Sequence, residues 1–126
     1  MAPMDLSRRE RQIMDFLYQQ RAATVLEVQA GIPEPPGYSS VRALLRILER
    51  KGHVRHRTDG PRYIYEPIQP RATATRSALR HLVETFFDGS ETAAAAALLT
   101  LSNKRIDPNE AARLAKIIEQ AKREGR

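Results

Sequence analysis

The sequence predicts a mainly α-helical chain with one small β-hairpin, and three observations predict it. Capping signatures open helices at Ser7, Thr24 and Asp107. Apolar residues recur at helical spacing through most of the chain. A single Asp59-Gly60 step joins two short segments rich in β-branched and aromatic residues. At 126 residues the chain is long enough for one domain with a real core, or for a small domain followed by an oligomerisation segment.

Ser7-Arg8-Arg9-Glu10 is a capping box, in which the serine accepts from the Glu10 amide and the glutamate reaches back. The helix it opens runs to about Gln20 and buries Ile13, Met14, Phe16, Leu17 and Tyr18. A second box, Thr24 to Glu27, opens a shorter helix to about Ala30, stopped by Gly31. Three prolines between Ile32 and Gly37 exclude helix interior there, because each lacks a donor and pushes its predecessor into extended geometry.

The third helix lies within Gly37–Gly52, with a serine near Tyr38–Ser40 as its expected cap and a basic last turn before Gly52. On a helical wheel Val41, Leu44, Leu45 and Leu48 form an apolar stripe. Ser39, Ala43, Arg46 and Arg50 lie opposite it, flanked by Arg42. One face anchors in a core while the other presents small polar groups and guanidiniums outward. The hairpin follows, with His53–Arg57 and Arg62–Pro67 as strands around Thr58–Pro61. Three short helices and then a hairpin is the order of a winged helix-turn-helix, whose third helix enters the DNA major groove. Residues 1–69 are assigned to this domain and 70–126 to a C-terminal helical dimerisation segment.

In that segment Arg71–Thr75 reads partly as linker, and from Arg76 onward Leu79, Leu82, Val83 and Phe86 recur at helical spacing. Phe87–Ser90 breaks the helix, and Glu91–Leu101 is alanine-rich. Asp107-Pro108-Asn109-Glu110 combines an acidic cap, proline at the first helical position and glutamate at the third. On the helix it opens, Ala111, Leu114, Ile118 and Ala121 follow a 3-4-3 spacing close to a coiled-coil seam. These residues either pack within the chain or pair two copies. Homodimerisation is the economical solution for helices with apolar faces and little core of their own.

The formal net charge is +6, and between Arg42 and Arg62 seven Lys or Arg stand against two acids, a local excess of +5. Concentrated positive charge suits a polyanion, since each neutralised phosphate releases counterions. Arg50, Lys51, Arg55, Arg57 and Arg62 are the expected phosphate contacts. Ser39, Ser40, Arg42, Ala43 and Arg46 are the expected base readers. Arg46 suits a guanine, with a phosphate contact equally compatible, and Ala43 suits a thymine methyl, although it and the serines also read as merely small exposed residues.

With no cysteine, disulfides, thiolate metal sites and cysteine nucleophiles are excluded. No apolar run approaches the ~20 residues that span a bilayer, so a cytoplasmic protein without membrane insertion is expected. His53, His56 and His81 make a poor metal site, because i and i+3 on a strand point to opposite faces and no acid or thiolate accompanies them. No cofactor is expected. Tyr63 and Tyr65 share a strand face suited to core, with stacking on single strands as the other use. Phosphate loops, nucleophile elbows and paired carboxylates are lacking, which argues against an enzyme.

Taken in order, Leu6-Ser7 to Phe16-Leu17, Tyr38-Ser39-Ser40-Val41, Leu48-Glu49-Arg50-Lys51-Gly52-His53-Val54, Tyr63-Ile64-Tyr65-Glu66-Pro67 and Phe87-Asp88-Gly89-Ser90 resemble the BlaI/MecI penicillinase-repressor group. The resemblance spans Leu6 to about Lys122. It implies a homodimeric winged-helix repressor on inverted-repeat operator DNA, paired through its C-terminal helices and removed by a signal. Well-known members are inactivated through a membrane sensor protease, by cleavage of an Asn-Phe bond in the penultimate helix. Here Asn103 is followed by Lys104 and no Asn-Phe pair exists, so release by a sensor or protease departs from that pattern. The copper-responsive branch relies on C-terminal cysteines, which this chain lacks. From a different class, a winged-helix module docking an acidic protein is the alternative to an operator-binding repressor.

Overall fold

The computed structural model describes residues 6–101 and 105–125. Its elements are α1 (Arg8–Gln20), β1 (Ala23–Thr24), α2 (Val25–Gly31), α3 (Tyr38–Arg50), β2 (Val54–Asp59), β3 (Arg62–Pro67), α4 (Arg71–Phe86), α5 (Glu91–Thr100) and α6 (Pro108–Arg123). Two compact units, Met1–Leu82 and Val83–Arg126, divide within α4. The Asn103-Lys104 pair lies outside the described residues.

The first unit is a winged helix. Both expected capping boxes form, Ser7 with Glu10 and Thr24 with Glu27. Ile13 and Leu17 of α1, Val28 of α2, Val41, Leu45 and Leu48 of α3, and Val54 of β2 are fully buried together, and Tyr65 of β3 joins them. Each such aliphatic side chain contributes roughly 1.5–3 kcal/mol on leaving water. Leu44, Phe16 and Tyr18 pack at the edge of this core.

The sheet has three strands rather than two, in the order β1-β3-β2. Ala23 and Thr24 pair antiparallel with Tyr65 and Ile64, and Thr24 then caps α2. A two-residue strand has no periodicity to read, and it exists only because β3 is folded back beside it. Gly31 is the last residue of α2 rather than its stop. A methyl group there would overlap the Phe16 ring, so the glycine is a packing requirement.

At the start of α3 the cap is Gly37, without a side-chain hydrogen bond, and not a serine. The proline-rich approach is held from outside: Arg9 donates to the Pro33 and Glu34 carbonyls at 2.7 and 2.6 Å, and Gln29 donates to that of Pro36 at 3.1 Å. With the entry settled by these contacts, Ser39 and Ser40 fall inside the first turn and neither caps it. At the other end the Gly52 amide donates to the Glu49 carbonyl at 3.1 Å and the His53 amide to that of Leu48 at 2.9 Å. This is a Schellman motif, with Gly52 at φ +87° where a side chain would be strained. It hands the chain from α3 to β2 within three residues, so helix and wing are rigidly coupled in sequence.

The wing turns at Gly60-Pro61, between the facing residues Asp59 and Arg62, with Gly60 at φ +62°. Beyond it, Arg71–Thr75 is the first part of α4 and not a linker. In the second unit Ser90 caps α5 and Asp107 caps α6, with Pro108 at its first position. Ala94 is the one buried residue there among those described.

Candidate nucleic-acid interface

The buried stripe of Val41, Leu45 and Leu48 sets the roll of α3, and so decides which residues face away from the core. Ser39, Ser40, Arg42, Ala43, Arg46 and Arg50 are all exposed. Three guanidiniums thus stand one helical turn apart along a face whose remaining residues are small. That combination lets a helix backbone approach a surface closely while offering forked donors to it.

Strand register gives the wing two distinct faces. Arg55, Arg57 and Asp59 share one face with Arg62, Ile64 and Glu66. On it Arg55 and Arg57 both reach Glu66, at 3.1 and 3.3 Å, and Arg62 reaches Asp59 at 3.0 Å. These are solvent-exposed pairs of small net worth, typically below about 1 kcal/mol, which a phosphate can displace. The opposite face carries Val54, His56 and Thr58 with Tyr63, Tyr65 and Pro67. It packs on the core at Val54 and Tyr65.

Tyr63 departs from the core role expected of both tyrosines. Tyr65 is buried, but Tyr63 is 46% exposed. It faces Thr58, one step from the turn, where the hairpin has outrun the hydrophobic core. Instead its ring stacks on His56 with centroids 4.2 Å apart, and His56 Nδ1 donates to Glu49 of α3 at 2.7 Å. His53 precedes β2 rather than lying on it, and His81 is exposed on α4.

Lys51, expected at a phosphate, is engaged within the fold. Its ammonium donates to Glu10 at 2.9 Å, joining the end of α3 to the first turn of α1, so it serves the fold. Glu10 is buried apart from this contact. Burial pushes its carboxyl up, but the Ser7 amide, the Lys51 ammonium and the Ser7 hydroxyl together outweigh that and hold it below its ordinary value. The anion is therefore the form the fold selects.

Between the N-terminal ends of α2 and α3 and the wing tip runs a groove of about 500 Å³. Tyr38, Arg42, Arg62 and Tyr63 line it, with Leu26 and Tyr65 among the remaining walls. Burial pushes the Tyr65 phenol up and Glu49 adds to this, while Arg42 and Arg46 pull it down. Tyr38 and Tyr63 were not legible as surface groups. Their aromatic character resembles core in sequence, and only their distance from the apolar stripe distinguishes them.

The predicted pairing residues also keep apolar surface uncovered: Leu79, Phe86, Leu114 and Ile118 are exposed, with Leu82, Val83 and Ala121 half-buried. Leu98, Leu99 and Ile117 are exposed as well, outside the predicted set. No helix among the described residues is long and apolar enough to cross a membrane.

The profile of the family described as penicillinase repressor matches residues 6–120. Among solved structures the chain is similar to one from the hsRosR–S1 complex, with 16% identity, a TM-score of 0.56, and coverage of 98% of this chain and 97% of that one. It is also similar to the transcriptional regulator Tm0710 from Thermotoga maritima, with 13% identity, a TM-score of 0.52, and coverage of 93% and 79% respectively. At these identities the likeness concerns the fold alone. No curated protein sequence matches the chain.

Proposed function

The chain belongs to the penicillinase repressor family of winged-helix transcriptional regulators, which are not enzymes, and from that premise we propose that it is a homodimeric repressor of an inverted-repeat operator. The observation that carries the reading is the outward face of α3, where Ser39, Arg42, Ala43 and Arg46 are exposed opposite a fully buried stripe. In a major groove Arg42 and Arg46 supply the forked donors that suit guanine, and Ala43 leaves room for a thymine methyl. Arg50, Arg55, Arg57 and Arg62 supply the phosphate contacts that set register.

Pairing of two copies through α4, α5 and α6 would cover apolar side chains that the single chain leaves in water. Two α3 helices would then address half-sites about one helical turn apart. Release follows a signal acting by another route than cleavage at Asn-Phe, since that pair is missing. The place of action is the cytoplasm, where operator DNA is reached.

A gel shift with the DNA upstream of the protein's own gene tests the reading. Retardation that survives an excess of random duplex is expected. No retardation even at low salt leaves the positive face for an acidic protein instead.

A further inference from the structure

The groove between α3 and the wing combines two guanidiniums with two exposed phenols. Tyr38 is the first residue of α3 and is 45% exposed, and Tyr63 projects from the wing across the same groove. Arg42 and Arg62 stand with them. Nothing in the core explains either ring at these positions.

Tyr63 is also held in place. Glu49 of α3 accepts from His56 of β2, and the His56 ring lies nearly parallel to that of Tyr63, at an interplanar angle of 21°. Two residues from two other elements thus fix one exposed aromatic side chain. A phenol immobilised in this way beside positive charge is suited to donate to an anion, because little side-chain entropy remains to be lost.

We propose that this groove seats one sugar-phosphate strand of duplex DNA, with Tyr38 and Tyr63 donating through their hydroxyls to phosphates while Arg62 neutralises charge, and Arg42, which lines the same groove, reaches on to the base edges as proposed above. Glu49 and His56 act as positioning residues for Tyr63. The occupant follows from charge and from shape: Arg42 and Arg62 outnumber the one carboxylate lining the groove, Glu27, which already accepts from the Thr24 amide at 2.8 Å, and the groove is open, flanks the outward face of α3 and carries neutral donors on both walls. Tyrosine hydroxyls are among the groups that contact phosphate in protein–DNA interfaces without reading sequence. The assignment rests on duplex binding as proposed above.

The test uses the full-length chain, with Tyr38→Phe, Tyr63→Phe and Arg62→Ala compared by fluorescence anisotropy on an operator duplex and a random duplex across a salt series. Each Phe variant keeps its ring and loses only the hydroxyl, and Tyr63→Phe keeps the His56 stack with it. About tenfold weaker binding per hydroxyl is expected on both duplexes, the size of a hydrogen bond to a charged group. The salt dependence should stay parallel to wild type, because no charge is removed, whereas Arg62→Ala should lower its slope by about one unit. Phe variants that bind like wild type overturn the groove assignment and leave duplex binding intact. Loss confined to the operator duplex overturns it too, since that would mean base reading. Wild-type protein that binds neither duplex overturns the DNA reading itself.

Discussion

Glu49 in the last turn of α3 accepts a hydrogen bond from His56 of the wing at 2.7 Å, bridging the two elements that the Schellman turn at Gly52 separates. The pair is half-exposed, so its direct worth to stability is small, on the order of 0.5 kcal/mol. Its larger effect is geometric, since it sets the ring on which Tyr63 stacks. Glu49→Ala should therefore leave the melting temperature nearly unchanged and weaken duplex binding about threefold, while Glu49→Gln, which still offers an acceptor, should restore most of it. Melting curves and anisotropy titrations on the same preparations check both halves.

Arg46 and Arg57 should fail in different ways. Arg46 stands mid-helix on the outward face, so Arg46→Ala should cost roughly 1–3 kcal/mol on the operator and relax preference at one base position. Arg57→Ala on the wing should weaken operator and random duplex alike and lower the salt slope by about one unit. Equal losses on both duplexes for Arg46→Ala would remove it from base reading.

The buried Glu10 carboxylate makes stability acid-sensitive. Because its pKa is lowered from the ordinary 4.5, the stabilisation it contributes is present above that value and is lost as the pH falls through the lower, folded value. Wild-type protein should thus lose stability below about pH 4.5 more steeply than Glu10→Gln. The variant should already be about 1–3 kcal/mol less stable at neutral pH, having lost the Lys51 ion pair. Urea melts across the acid range measure both slopes, and parallel curves would show that Glu10 does not carry the effect.

The proposed pairing through the C-terminal helices would make Ile118 and Phe86 sensitive positions. Both are well exposed in the single chain, at 58% and 71%. Ile118→Asp or Phe86→Asp should raise the dimer dissociation constant at least about a hundredfold, since a charge in an apolar seam is costly, without disturbing the winged helix. Sedimentation equilibrium checks this, and a wild-type protein that is already monomeric at tens of micromolar, well above a Kd of ~1 μM, would end the dimer proposal.

The local signals were legible because they are local. Ser7 with Glu10 and Thr24 with Glu27 satisfy helix-end amides within one turn, so their spacing in sequence is already their geometry. Gly52 and Gly60 stand where the backbone turns left-handed, and both were readable as a helix stop and a hairpin turn. The serine cap of α3 failed for the converse reason. Arg9 and Gln29, distant in sequence, hold the loop ahead of it and leave Gly37 at the cap.

By itself the sequence determined the order of elements, the apolar stripe of α3 and hence the outward face of Ser39, Arg42, Ala43 and Arg46, because periodicity and charge are properties of neighbouring residues. Only the tertiary structure decided what depends on residues meeting from afar. Lys51 is drawn to Glu10 across 41 positions. Ala23 and Thr24 become a strand when β3 arrives beside them. Tyr63 stays out of the core because the hairpin extends past it, and it comes to rest on a histidine held by α3. Side chains of the same chemical type thus divide between core, fold and surface according to how far the packed helices reach, a distance that spacing along the chain does not encode.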